Sequence, residues 1–161
     1  MATRRICEFL DGNGAHYAMF NHHSAYTAQE AAQSTHIPGQ YMAKTVIVWI
    51  DDRLAMAVVP ATKEVDLESL RHARHVRLAE EADFADRFVG CQLGTVPPFG
   101  NLFGVETFYD PSLASRLHIA FPAGTHTDVI VMSFADYKRL ARPQPVHMAT
   151  EPIRAMPCIQ L

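Results

Sequence analysis

Lys44 stands at the head of the most apolar run in the chain, Met42-Ala43-Lys44-Thr45-Val46-Ile47-Val48. A charge in that position either carries its amine out to water along an apolar surface or meets an anion. Held at a cleft, the ammonium could bind a phosphate or stabilise developing negative charge; the plainer alternative is a solvated strand-end lysine. The second conspicuous feature is Gly94-Thr95-Val96-Pro97-Pro98-Phe99-Gly100, flanked by Gly90 and Gly104. Two consecutive prolines fix two φ angles and exclude a helix or central strand there. Glycines at such a place permit positive φ or close approach of another backbone or a ligand. A stiff loop of this kind can aim free amide N–H groups at one point, making an anion nest or oxyanion hole without charged side chains. The alternative is a turn-rich connector with no chemistry.

Other reactive side chains compose less well. The chain has nine histidines, but His22 and His23 are adjacent and on a strand would face opposite ways. His72 and His75 could share a helix face, yet Arg71, Arg74 and Arg77 crowd them with positive charge. No HExxH and no ligand-spaced Cys/His cluster occurs, so the expectation is no metal and no cofactor. The arginine cluster reads as a solvated helix face or as a contact for nucleic-acid phosphates. Cys91 borders the glycine loop without a histidine base nearby in sequence, which favours a small buried hydrophobe over a nucleophile. Trp49 and the phenylalanines at 84, 88, 103 and 108 read as core. No paired carboxylates and no nucleophilic serine motif are apparent.

The elements that must position Lys44 and the loop follow from periodicity. Ile6, Phe9 and Leu10 mark a first amphipathic helix, stopped by Asp11-Gly12-Asn13-Gly14. Residues 16–20 read as a short strand. Thr27-Ala28-Gln29-Glu30 is a capping box opening a helix over 28–34. Residues 44–50 and 54–59, joined by Asp51-Asp52-Arg53, form the clearest hairpin, and their continuous apolar character marks central strands. Asp66 caps a helix over 67–72, and a further short helix covers 80–88. Strands follow at 105–109, 117–121 and 128–132, then a helix over 133–141 opened by Ser133 with Asp136 at its third position. The alternation predicts an α/β (α+β) domain with helices around a mixed sheet. The domain is expected over residues 1–141, with a proline-rich tail over 142–161 that packs on it or stays mobile.

Bulk properties narrow the function classes. At 161 residues, 48% hydrophobic and 19% charged, the chain fits one domain able to bury a sizeable core. Its net charge of −3 argues against broad duplex binding, hence against DNA, while leaving room for a local contact with the end of a nucleic acid. Cys7, Cys91 and Cys158 are odd in number and far apart, which suits a reducing cytoplasm. No apolar stretch has signal-peptide or membrane-spanning length.

In order and spacing, these segments resemble the YbaK/prolyl-tRNA synthetase-associated editing domains. Thr27-Ala28-Gln29-Glu30-Ala31-Ala32, with His22 or His23 and Tyr26 before it, is similar to the family's early helix. Ala43-Lys44-Thr45-Val46 is similar to the strand that carries its lysine. Pro60-Ala61 and Val65-Asp66-Leu67 resemble the next strand end and helix start. Gly94-Thr95-Val96-Pro97-Pro98 fits the family's Gly-x-x-x-Pro loop, and Ala123-Gly124 precedes a matching strand. The resemblance covers about residues 5–141. It implies a mixed α/β fold with a curved, barrel-like sheet and a free-standing hydrolase that removes a wrongly attached amino acid from tRNA. It implies Lys44 and Gly94 as catalytic residues, and Tyr26, Thr27, Thr95, Val96, Pro97, Pro98, Phe99, Gly100 and His126 as the substrate-binding border. Water would be the nucleophile, aided by the substrate's own ribose hydroxyl. The partner would be the acceptor end of mischarged tRNA, with an aminoacyl-tRNA synthetase as a further candidate. The binding-only alternative, a module of the same fold for tRNA ends, shares these residues.

Overall fold

The structure, a computed structural model, describes residues 2–21, 37, 41–70, 75–92 and 94–152. The sequence-predicted helix over 28–34 lies outside them, as do Tyr26, Thr27, His22, His23, Arg71, His72 and Arg74. Helix α1 spans Ala2–Gly12, and Ile6 and Leu10, one turn apart, are both fully buried beneath it. Strand β1 (Tyr17–Asn21) follows. The hairpin of β2 (Ala43–Ile50) and β3 (Arg53–Pro60) pairs Lys44 with Val59 and Ile50 with Arg53. Its turn, Asp51-Asp52, places Asp51 at φ 53°, a left-handed conformation that aspartate tolerates better than most residues. Two long-range bonds hold that turn. Asp51 N donates to His75 O at 2.8 Å, and His75 N donates to Asp51 Oδ1 at 3.1 Å.

The remaining elements are shorter. Strand β4 is Glu64–Val65 and β5 is Val76–Leu78. Leu67–Leu70 is one 3₁₀ turn, begun by Asp66, whose Oδ1 accepts from Glu68 N at 3.1 Å. The helix expected over 80–88 is only α2, Glu81–Phe84; its capping box of Glu80 and Asp83 closes, but turns take over from Ala85 toward Gly90, which has φ 88°. Strands β6 (Glu106–Tyr109), β7 (His118–Pro122) and β8 (Asp128–Ser133) lead into α3 (Phe134–Ala141). Ser133 caps α3 as expected, accepting from Asp136 N at 3.1 Å. The start of the proline-rich stretch is built into the domain as β9 (Gln144–Pro145), parallel to β6, and β10 (Ala149–Thr150), antiparallel to β4.

The architecture is mixed α+β, as expected. The barrel-like sheet does not close among the described residues. A five-stranded sheet runs β5-β2-β3-β6-β9, a three-stranded sheet runs β1-β8-β7, and β10-β4 form a small ribbon. The two larger sheets meet at one parallel bridge, Met42 with Ala120. The outer edge of β2 therefore forks. Its C-terminal end takes β5 at Val48–Ile50, its N-terminal end takes β7 at Met42, and no described strand pairs with the stretch between. Lys44 stands in that opening.

Alternation along β2 separates the core into compartments. Ala43 and Ile47 enter the main cluster, with Met56 and Val58 of β3, Phe99, Phe121 and Tyr137. Val46 and Val48 face the other way, onto Val59, Leu70 and Met148. Met42 joins Ala61, Ala120 and Val129 at the junction of the sheets.

Candidate active site

The loop at 94–100 is held at both ends and in the middle. Gly94 has φ 77°, so its backbone occupies the left-handed region that glycine alone enters freely. Thr95 N and Thr95 Oγ1 both donate to Gln92 O, at 3.1 and 2.7 Å. Phe99 N donates to Pro97 O at 2.8 Å, and Gly100 N to Thr107 Oγ1 at 2.9 Å. A side chain at Gly100 would collide with that hydroxyl and with the Val105 carbonyl, so only glycine fits there. Phe99 is fully buried, its ring centroid 5.9 Å from Phe9, 5.5 Å from Phe121 and 5.3 Å from Tyr137. Burial of such a ring stabilises by about 1.5–3 kcal/mol, which anchors the loop from beneath. With two prolines lacking N–H and three amides paired, the amides of Gly94 and Val96 are the ones that donate to no acceptor among the described residues.

The loop is also stitched to the turn after β7. Thr95 O accepts from Gly124 N at 2.9 Å, Gln92 N donates to Gly124 O at 3.0 Å, and Gln92 Oε1 accepts from His126 N at 2.7 Å. Thr125 Oγ1 donates to Asp128 Oδ2 at 2.7 Å and fixes the same turn. His126 thus meets the loop through its backbone.

By strand alternation, Lys44 lies on the face of Met42, Val46 and Val48, whereas Val96 and Phe99 pack into the cluster on the other face. β7 touches β2 at the isolated parallel bridge of Met42 with Ala120, and its last residue, Pro122, stands immediately before the turn to which the loop is bonded. Lys44 is half-buried. Burial holds its pKa below the usual lysine value, while the Glu64 carboxylate pulls the other way. The 94–100 loop and the 123–128 turn form one bonded unit; Tyr26 and Thr27 lie outside the described residues.

Two hollows flank these elements, one at the loop and one at β7. A pocket of about 250 Å³ is lined by Gly94 and Val96 together with Phe84, Phe88 and Cys91. Burial pushes the Cys91 thiol up to about 11, with Arg5 pulling weakly downward. It is therefore a protonated thiol near neutral pH rather than a nucleophile. A larger cavity of about 670 Å³ lies against the outer face of β7, between Phe20, Ile37, Tyr41, Arg116, Ala120 and Val131. The sequence gives no sign of it, because its walls come from positions as far apart as Phe20 and Val131. Among the described residues, no group of three His, Cys, Asp or Glu could hold a metal ion, and no helix is long and apolar enough to cross a membrane.

The sequence profile of the aminoacyl-tRNA editing domain matches residues 22–140. The chain belongs to this family. The match runs through β2, the glycine–proline loop and nearly all of α3, so Lys44 and the loop both fall within it. The chain is 26% identical over 154 residues to the Multifunctional Ser/Thr-tRNA deacylase ProXp-y of Escherichia coli strain K12, covering 89% of this chain and 90% of that one. The same figures hold for the deacylase of that name in Escherichia coli O157:H7. Among solved structures, a candidate trans-editing enzyme for prolyl tRNA synthetase superposes with a TM-score of 0.80 at 20% identity, covering 92% of this chain and 97% of that one. The hypothetical protein APE2540 superposes at 0.81 with 19% identity, covering 91% and 99%. At such identities these likenesses speak for the fold of the editing domain alone.

Proposed function

We propose that this editing domain hydrolyses the ester of mischarged aminoacyl-tRNA in trans, with Lys44 positioning the substrate and the 94–100 loop binding the carbonyl. The observation that carries the reading is that, among the described residues, the amides of Gly94 and Val96 donate to no acceptor while the loop's other amides are bonded. Donors fixed in advance and aimed where an oxyanion develops can lower a barrier by roughly 3–4 kcal/mol each. The Lys44 ammonium, across the opening between β2 and β7, would hold the negatively charged end of the substrate, and its partial desolvation strengthens that attraction. Thr95, Pro97, Pro98, Phe99 and Gly100 act by stiffening the loop, and His126 by tying the adjoining turn to Gln92. Water is the nucleophile. The 2′- or 3′-hydroxyl of the terminal ribose left free by the ester is close enough to take or pass the proton, so no protein base is needed. Tyr26 and Thr27 complete the border in this scheme.

The partner is the acceptor end of tRNA, met in the cytoplasm where charged tRNA is used, with a synthetase as a second candidate partner. Neither DNA nor membrane is required. The relative named for Ser/Thr-tRNA puts seryl- and threonyl-tRNA first in a panel of mischarged tRNAs. Incubated with the purified protein and a chelator, at least one member should lose its amino acid faster than in buffer. If every member stays charged while uncharged tRNA still binds, the protein is a binding module and not a deacylase.

A further inference from the structure

Helix α1 precedes residue 22, where the family match begins, and the scheme above gives it no role. Yet three of its residues reach the loop or its supports. Thr3 Oγ1 donates to Ala123 O at 2.8 Å. Arg5 Nη2 donates to Leu102 O, and its guanidinium lies 5.3 Å from the centroid of the Phe103 ring. Phe9 meets the Phe99 ring edge-on. Ile6 and Leu10, both fully buried, hold the helix against the core.

The Thr3 contact carries further than the other two. The Ala123 carbonyl and the Gly124 N–H belong to one peptide group, and that N–H donates to Thr95 O at 2.9 Å. The Thr95 carbonyl and the Val96 N–H belong to a second peptide group, and that N–H donates to no acceptor among the described residues. In a planar trans peptide the N–H points away from the C=O. A carbonyl fixed on one partner therefore aims the amide of the same group the opposite way. The Thr3 hydroxyl fixes the first plane, the first plane fixes the second, and the Val96 N–H is left facing away from Gly124. Ala123 is fully buried and Thr95 only 2% exposed. In such surroundings hydrogen bonds in series polarise one another, by roughly 10–30% per bond.

We propose that Thr3 is a positioning residue: through the peptide groups 123–124 and 95–96, its hydroxyl orients and polarises the Val96 N–H as an oxyanion donor. Among the described residues, Thr3 supplies the donor that the Ala123 carbonyl receives. The use of the Val96 amide on an oxyanion rests on the deacylase reading, whereas the chain of bonds does not.

Three variants of the full chain test this, each labelled with ¹⁵N. Thr3→Val removes the hydroxyl at nearly constant shape, Thr3→Ser keeps it, and Ile6→Val loosens α1 from the core without touching the bonds. In the free protein, Thr3→Val should move the Gly124 and Val96 amide proton resonances upfield, and Thr3→Ser should return them. Ile6→Val should lower the melting temperature with both signals in place. In turnover with an accepted substrate, Thr3→Val should lower kcat about ten-fold, less than the loss expected when an oxyanion donor is removed outright. KM should stay nearly unchanged, because such a donor acts on the transition state more than on the bound ester. Thr3→Ser should recover most of the rate, and Ile6→Val should keep it. Unmoved Gly124 and Val96 signals in Thr3→Val would overturn the inference. So would a loss of kcat no greater than that of Ile6→Val, or an effect carried by KM alone. Signals that move as expected, in a protein that hydrolyses no mischarged tRNA, would sink the deacylase reading and leave the bond chain from Thr3 to Val96 standing.

Discussion

At the scale of single residues, the proposed site depends on one desolvated amine and one left-handed glycine. Because burial lowers the Lys44 pKa, the ammonium is lost at a lower pH than for an exposed lysine, whose value is about 10.4. If the charged form acts, kcat/KM corrected for spontaneous hydrolysis should fall as pH rises through that lowered value. Lys44→Arg should carry whatever activity it keeps to higher pH, since a guanidinium stays protonated. A wild-type profile flat beyond the ordinary lysine range would contradict this role. Gly94 at φ 77° makes the second case. Adding a Cβ there costs about 1–2 kcal/mol of backbone strain and shifts the neighbouring amides. Gly94→Ala should remain folded by thermal melting while losing on the order of 10²-fold in kcat, the size expected for a misplaced oxyanion donor. The sequence made Gly94 legible because a Gly-x-x-Pro-Pro run is a local signal. It could not say which amides stay unpaired, since Thr107, the partner of Gly100, is placed by the fold.

At the scale of elements, Asp110 ties the chain's last described strands to the domain. Its carboxylate accepts from Ser112 N at 3.0 Å and from the amides of Met148 and Ala149, each at 2.9 Å. Burial would push its pKa up, but the Ser112 hydroxyl and these amides outweigh that and hold it below the usual carboxylate value. A carboxyl whose folded pKa lies below its unfolded value of about 3.9 contributes stability that is fully present above that value. The contribution is lost as pH falls through the folded pKa. Asp110→Ala should destabilise by roughly 2–4 kcal/mol, the cost of leaving buried amides without a charged acceptor. Its denaturation midpoint should also show less acid sensitivity between pH 5 and 3 than the wild type; equal sensitivity would remove Asp110 from this role. The long, strongly patterned elements α1, β2, β3, β8 and α3 were legible because each repeats its period several times. Strands β4, β9 and β10 have two residues each and carry no period. They exist because tertiary neighbours pair them, Asp110 among these, and that is why residues 142–152 read as tail in the sequence.

At the scale of the whole molecule, the decisive feature is the fork at β2, where two sheets separate beside Lys44. Nothing local announces it. The fork follows from β7 engaging β2 by a single bridge and then turning away to meet the glycine–proline loop, a relation among three segments distant in sequence. Local text identified the lysine, the loop and the family, while the bonds that tie the loop to the turn after β7 are set by the fold alone. The account's central claim is that Lys44 and the loop act on one ester. Single-turnover deacylation of the best substrate from the mischarged panel, by wild type and Lys44→Ala of matched thermal stability, tests this most directly. The account predicts that the variant slows by about 10²-fold or more, as for loss of a charge-stabilising group; a variant that hydrolyses the ester at the wild-type rate would contradict it.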